Sequence, residues 1–206
     1  METTDLSRCD RPINSPDFSR NVKREIGFAK LIFLIIFRVY DQTLFPTTMT
    51  SDTKPIFDTL AEEGSAIDWN RLLIEILNAF DCSTGSIHTL DLDRDSQLLH
   101  VKAYQGIPEL LLPKITIISI GKGMAGVAAE RKRPVQICNL QTDESGVARP
   151  SAKETKVEGS IAVPLMLNGQ LHGTLGIAKP IPYEFTAEEE ETLMEIGEAI
   201  SRKIVS

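Results

Sequence analysis

The sequence predicts an α+β domain in which a helix at each end brackets an antiparallel sheet. Three observations carry the prediction. Apolar residues recur at helical spacing just before residue 80 and again at the C-terminus, and Asn168-Gly169 stands between two strand-like runs. Helices segregated to the ends of an antiparallel sheet are an α+β arrangement.

The first element follows Asp68. Trp69, Leu72, Leu73, Ile76, Leu77 and Phe80 recur at intervals of three and four and form one helical face, with Asp68 as N-cap. Ser86–Leu90 and Leu98–Gln105 then read as strands joined by the polar stretch 91–97, a hairpin. Ile107–Ile115 reads as a short helical segment and Thr116–Ile120 as a strand. The glycine-spaced Gly121-Lys-Gly-Met-Ala-Gly126 leads into a helical Val127–Arg133 and a strand Pro134–Cys138. Residues 141–158 are polar and turn-rich, which predicts a mobile loop. Ser160–Leu167 and Gln170–Ala178 flank Asn168-Gly169, a type I′ turn signal because both central residues need positive φ. Thr186-Ala-Glu-Glu189 is a capping box before the stripe Leu193, Ile196, Ile200 and Ile204.

Residues 54–206 form the predicted domain and residues 1–53 an N-terminal extension, disordered or not native. Residues 1–25 lack apolar periodicity. The apolar run Ile26–Phe37 contains Lys30 and is shorter than the roughly 20 residues a bilayer span needs. No A-x-A-like cleavage site follows it. The readings left open are a secretion signal, a peripheral anchor, an accessory helix, or a native start at Met49 with residues 1–48 outside the protein.

Charge narrows the partners. The formal net charge is -7; the extension is balanced, with seven basic and seven acidic residues, so the whole excess falls on the domain, at fifteen basic against twenty-two acidic. An acidic surface without a basic stripe repels phosphate backbones, so no nucleic acid partner is expected, and a membrane partner is not expected either. Cys9, Cys82 and Cys138 are odd in number and lack C-x-x-C spacing, which suggests neither a disulfide framework nor a zinc site and fits a cytoplasmic setting.

Several motifs are weaker than they look. Gly121-x-Gly123-x-x-Gly126, with Asp143 about 20 residues on, matches a dinucleotide fingerprint. The space before Pro134 is too short for a crossover helix, so the glycines are read as packing devices. Asp91, Asp93 and Asp95 resemble the start of a calcium loop, but Ser96 and Lys102 stand where Gly and Glu are needed. His88, His100 and His172 fall in strands with no carboxylate or Cys at matching spacing, so half-buried sheet residues are expected. No metal site, cofactor or catalytic residue is assigned.

The run Ile118–Ile137, then Ser160-Ile-Ala-Val-Pro-Leu165 and Gly173-Thr-Leu-Gly-Ile-Ala178, resembles the core pattern of GAF domains, over about residues 56–205. The resemblance implies an antiparallel sheet with the terminal helices on one face and a small-molecule pocket on the other, under residues 107–158. It implies a sensory or regulatory module whose ligand contacts include Tyr104, Ile120, Met124 and Ser160, with homodimerisation through the bounding helices and an effector protein in trans as output. Two alternatives stand beside it. One is a divergent free methionine-(R)-sulfoxide reductase using Cys82 or Cys138, although Ala125 occupies that branch's first cysteine position and residues 141–158 hold no Cys. The other is a dimerisation scaffold without ligand.

Overall fold

A computed structural model describes residues 53–62, 66–91, 98–148 and 154–206. The expectations for residues 1–52, and for Asp93 and Asp95, lie outside the described residues. Residues 51–206 form one compact unit. Its elements in chain order are α1 (Lys54–Ala61), α2 (Trp69–Ala79), β1 (Thr84–Leu90), β2 (Leu98–Gln105), α3 (Leu112–Ile115), β3 (Ile117–Ser119), α4 (Gly123–Arg131), β4 (Val135–Ile137), β5 (Ser160–Leu167), β6 (Gln170–Ala178) and α5 (Ala187–Val205). A 3-10 turn, Glu109–Leu111, precedes α3.

The six strands form one sheet in the order β3-β2-β1-β6-β5-β4, every pair antiparallel. It is a curled half-barrel with helices on both faces, the α+β arrangement the sequence predicts. Local chemistry fixes its ends and turns. The Asp68 carboxylate accepts from the Arg71 N–H at 3.1 Å and starts α2. Both halves of the Thr186–Glu189 capping box are made at the start of α5. Asn168 and Gly169 take φ of 50° and 78°, and the β5–β6 hairpin closes across them. Pro164 lies in β5 without breaking a ladder, because β4 pairs only with Ser160, Ile161 and Ala162.

Strand alternation sends Ile87, Ala103, Ile161, Val163, Leu165, Leu175 and Ile177 to one face. There they join Ile56, Leu72, Leu73, Ile76, Leu193, Ile196 and Ile200 of α1, α2 and α5 in the main core. Gly197 lets α5 lie close on β5, since a Cβ there would stand 3.2 Å from the Pro164 carbonyl oxygen. The other face is covered by α4 and the connections around it, through three smaller clusters centred on Ala128, Leu99 and Leu140. Helix α4 begins at Gly123 rather than Val127: the glycine segment is helical in its second half. The segment 107–115 is a 3-10 turn followed by a single helical turn, shorter than its apolar run suggests. Among the described residues no helix is long and apolar enough to cross a membrane.

Candidate functional site

Between the sheet and its second covering lies a cavity of about 180 Å³. Its floor is the face of β1, β5 and β6 turned from the main core: Thr84 and Ser86, Ser160 and Ala162, Gly176 and Ala178. The roof comes from Ile107, Leu111, Lys114 and Ile115, one wall from Ile118, Lys122, Gly123, Met124 and Ala125, and the far side from Leu140, Ala148, Thr155 and Val157. A mostly apolar enclosure with a few polar groups is the usual make-up of a small-molecule site.

The glycine segment builds the wall. Gly123 takes φ of 66° to turn the chain into α4. A Cβ on Gly126 would lie 2.4 Å from the Ser119 carbonyl oxygen, so only glycine lets the helix pack against the end of β3. The all-antiparallel sheet leaves no βαβ unit for a dinucleotide. Asp143, the acid at ribose distance in sequence, instead accepts from the N–H and hydroxyl of Ser145 in its own loop.

Among the described residues the charged ones lining the cavity are Lys114 and Lys122, with no Asp or Glu. The Lys114 ammonium donates to Glu154 at 3.2 Å, both side chains half-exposed. Lys122 is exposed; its backbone N–H donates to the Ser119 carbonyl at 3.1 Å, and its ammonium makes no hydrogen bond or ion pair among the described residues. As N-cap of α4 it supplies no side-chain cap, so the first-turn N–H groups of Gly123, Met124 and Ala125, all lining residues, lack that partner. The Ser160 hydroxyl donates to the Ile177 carbonyl at 3.3 Å, and the Thr84 hydroxyl to that of Gly106 at 3.5 Å.

Of the four residues the resemblance implied, Met124 and Ser160 line the cavity. Tyr104 pairs with Ser86 across β1 and β2 and remains 44% exposed outside the lining. Ile120 packs against the cluster of Leu99, Ile118 and Ala129. Thr84, Ser86, Lys114 and Lys122 were not singled out in the sequence, although the alternation Thr84, Ser86, His88 along β1 carries a readable signal.

One step farther along the same face of β1, His88 is buried, and its Nε2–H donates to the Ile115 carbonyl at 2.8 Å, which ties the roof to the sheet. Burial lowers its pKa, partly opposed by that bond and reinforced by the charge of His100. His88 lies opposite Thr174, while His100 stands 3.7 Å from Asp91. No group of three metal-binding side chains forms among the described residues.

No thiol lines the cavity. Cys82, past the end of α2, is free, and burial pushes its pKa up to about 12, against a smaller lowering by Lys179. The Lys179 ammonium donates to the Phe80 carbonyl at 2.6 Å and sits 4.5 Å from the centre of the Tyr183 ring. Burial and the Glu189 carboxylate push the Tyr183 hydroxyl up to about 12 as well. Cys138 is disulfide-bonded, which corrects the expectation that the cysteines form no bridge.

Comparison with solved structures finds the same fold at low identity. The GAF domain from an Acinetobacter phosphoenolpyruvate-protein phosphotransferase superposes with a TM-score of 0.61 at 17% identity, covering 75% of this chain and 90% of that one. The free methionine-R-sulfoxide reductase from Neisseria meningitidis, in complex with its substrate, gives 0.60 at 18%, covering 73% and 84%. The GAF domain of A. aeolicus nlh2 in an inactive state gives 0.57 at 19%, covering 75% and 93%. No curated protein matches the chain significantly. The sequence itself matches the GAF domain model over residues 70–205, from the start of α2 to the end of α5, and with the sheet, the bracketing helices and the roofed cavity in place the chain belongs to the GAF domain family.

Proposed function

We propose that the domain is a regulatory module that holds a small metabolite in the cavity and passes its occupancy on through homodimerisation or a partner protein. The observation that carries the reading is the partly open, largely apolar cavity on the sheet face opposite the main core. Met124 and Ser160 are its direct contacts, whereas Tyr104 and Ile120 stand outside the lining. The single-turn roof is held to the floor by the His88–Ile115 hydrogen bond, so a ligand beneath it can bias the roof's position. A cytoplasmic site of action is part of the proposal, and the Cys138 disulfide stands against that part.

The reductase reading has less support. Attack on a sulfoxide needs a thiolate at the substrate, whereas Cys82 is held protonated outside the cavity and Cys138 is already bonded. A scaffold without ligand is disfavoured by the unfilled cavity.

Native mass spectrometry of the protein as purified tests both parts of the proposal. The expected spectrum shows a dimer carrying a small adduct that is lost when Gly176→Leu fills the floor. A bare monomer, with an adduct in neither protein, would remove the proposal.

A further inference from the structure

We infer that the cavity takes a small apolar organic acid that carries no ammonium group. The inference rests on the reading of the cavity as a ligand site and narrows the ligand's chemistry. Size sets the first limit. At about 180 Å³ the cavity is smaller than the roughly 300–1,000 Å³ typical of sites for drug-sized ligands, which points to a small molecule. Ile107, Leu111, Ile118 and Met124 suit an aliphatic body, with few hydrogen-bonding groups among them.

Charge sets the second limit. Among the described residues Lys114 and Lys122 are the charged side chains of the lining, and the Lys122 ammonium has no partner of its own. A carboxylate leaving water needs compensating positive charge, which the Lys122 ammonium is placed to supply, Lys114 being already paired with Glu154. The adjoining N–H groups of α4's first turn add to the same field. An α-amino acid would fit the same space but brings a second charge of opposite sign. Its ammonium would need a carboxylate partner, and the described residues of the lining contain none. The acids next to lining residues on the far side are already engaged: Glu154, beside Thr155, is paired with Lys114, and Glu158, beside Val157, accepts from the Asn139 amide. The hydroxyls of Thr84 and Ser160 spend their protons on backbone carbonyls, and the lone pairs left over suit a neutral ligand hydroxyl without neutralising a cation.

Three probes with one branched skeleton separate the possibilities: 2-hydroxy-4-methylpentanoate, leucine and 4-methylpentan-1-ol, each titrated calorimetrically into the full chain. The hydroxy acid is expected to bind at least tenfold more tightly than either of the others. Lys122→Gln is expected to weaken the hydroxy acid at least fivefold and to leave the alcohol unchanged. Leucine binding as tightly as the hydroxy acid, or the alcohol doing so, would overturn the inference while leaving a ligand-binding cavity. Failure of all three probes overturns it too. The wider reading falls only if no adduct is found by native mass spectrometry either. An adduct whose mass and fragmentation show an amine would retain the module and refute the class.

Discussion

The two faces of the sheet are built to different standards. On the face under α1, α2 and α5, eighteen buried apolar residues form one continuous cluster, and many of the side chains are wholly inaccessible. On the face under α4 the buried residues fall into groups of four, three and three, separated by the cavity. Continuous packing keeps most of the dispersion and burial that hold a fold together, whereas a cavity leaves its lining without partner atoms on one side. The first face therefore carries the stability, and the second can keep space for something else. Residues that maintain the fold and residues that meet a ligand alternate along the same strands, as Ile161 and Ser160 do in β5.

The largest expected effect tests that division directly. Ile196→Ala, at a wholly buried position of α5, is expected to lower stability by about 2–5 kcal/mol in urea denaturation. Val127→Ala, in the small cluster under α4, removes two carbons and is expected to cost less than about 2 kcal/mol. If the second substitution cost as much as the first, the two faces would not differ in the way proposed.

An intermediate effect sharpens the comparison by disturbing one face alone. Gly126→Val would drive a side chain into the Ser119 carbonyl, so α4 has to move, with an expected cost of about 1–3 kcal/mol. Trp69, the chain's single tryptophan, packs against the main core at the start of α2. Its fluorescence should stay unchanged in this variant while binding in the cavity is lost. A red-shifted Trp69 emission would show that strain crosses the sheet.

The same division decides what the sequence could reveal. Asp68, the Thr186–Glu189 box and Asn168-Gly169 were legible because their bonds close within three residues. The stripes of α2 and α5 were legible because one continuous core imposes one period. The cavity face imposes none: its lining draws on Thr84, Lys114, Lys122 and Ser160, brought together only by strand order and by the placing of α4. The start of α4 was misplaced for a related reason. Gly123 and Gly126 weaken helix propensity, and their use, a turn and a close approach to Ser119, exists only in three dimensions. The contrast between Met124 and Ser160 in the lining and Tyr104 and Ile120 outside it turns on the same tertiary detail.

The smallest expected effect is a pH dependence that belongs to the cavity face. His88 holds the roof through Ile115, and burial lowers its pKa below the ordinary 6.5 of an exposed imidazole in the unfolded chain. Its Nδ1 has no partner among the described residues, so a second proton there would be a buried charge without an acceptor. The neighbouring ionisable groups do not offset this: His100 carries charge of the same sign when protonated, and Asp91 lies against His100. Below pH 6.5 the unfolded chain takes up a proton that the folded chain refuses, so this contribution to stability is present above that pH and lost as pH falls. The effect is small near neutrality because only a fraction of unfolded molecules is then protonated. Urea midpoints measured between pH 7.5 and 5.5 should fall more steeply for the wild type than for His88→Gln, which keeps a hydrogen-bonding group but cannot titrate. Parallel slopes would mean that His88 takes its proton as easily in the fold as outside it, and that the roof does not depend on a neutral imidazole.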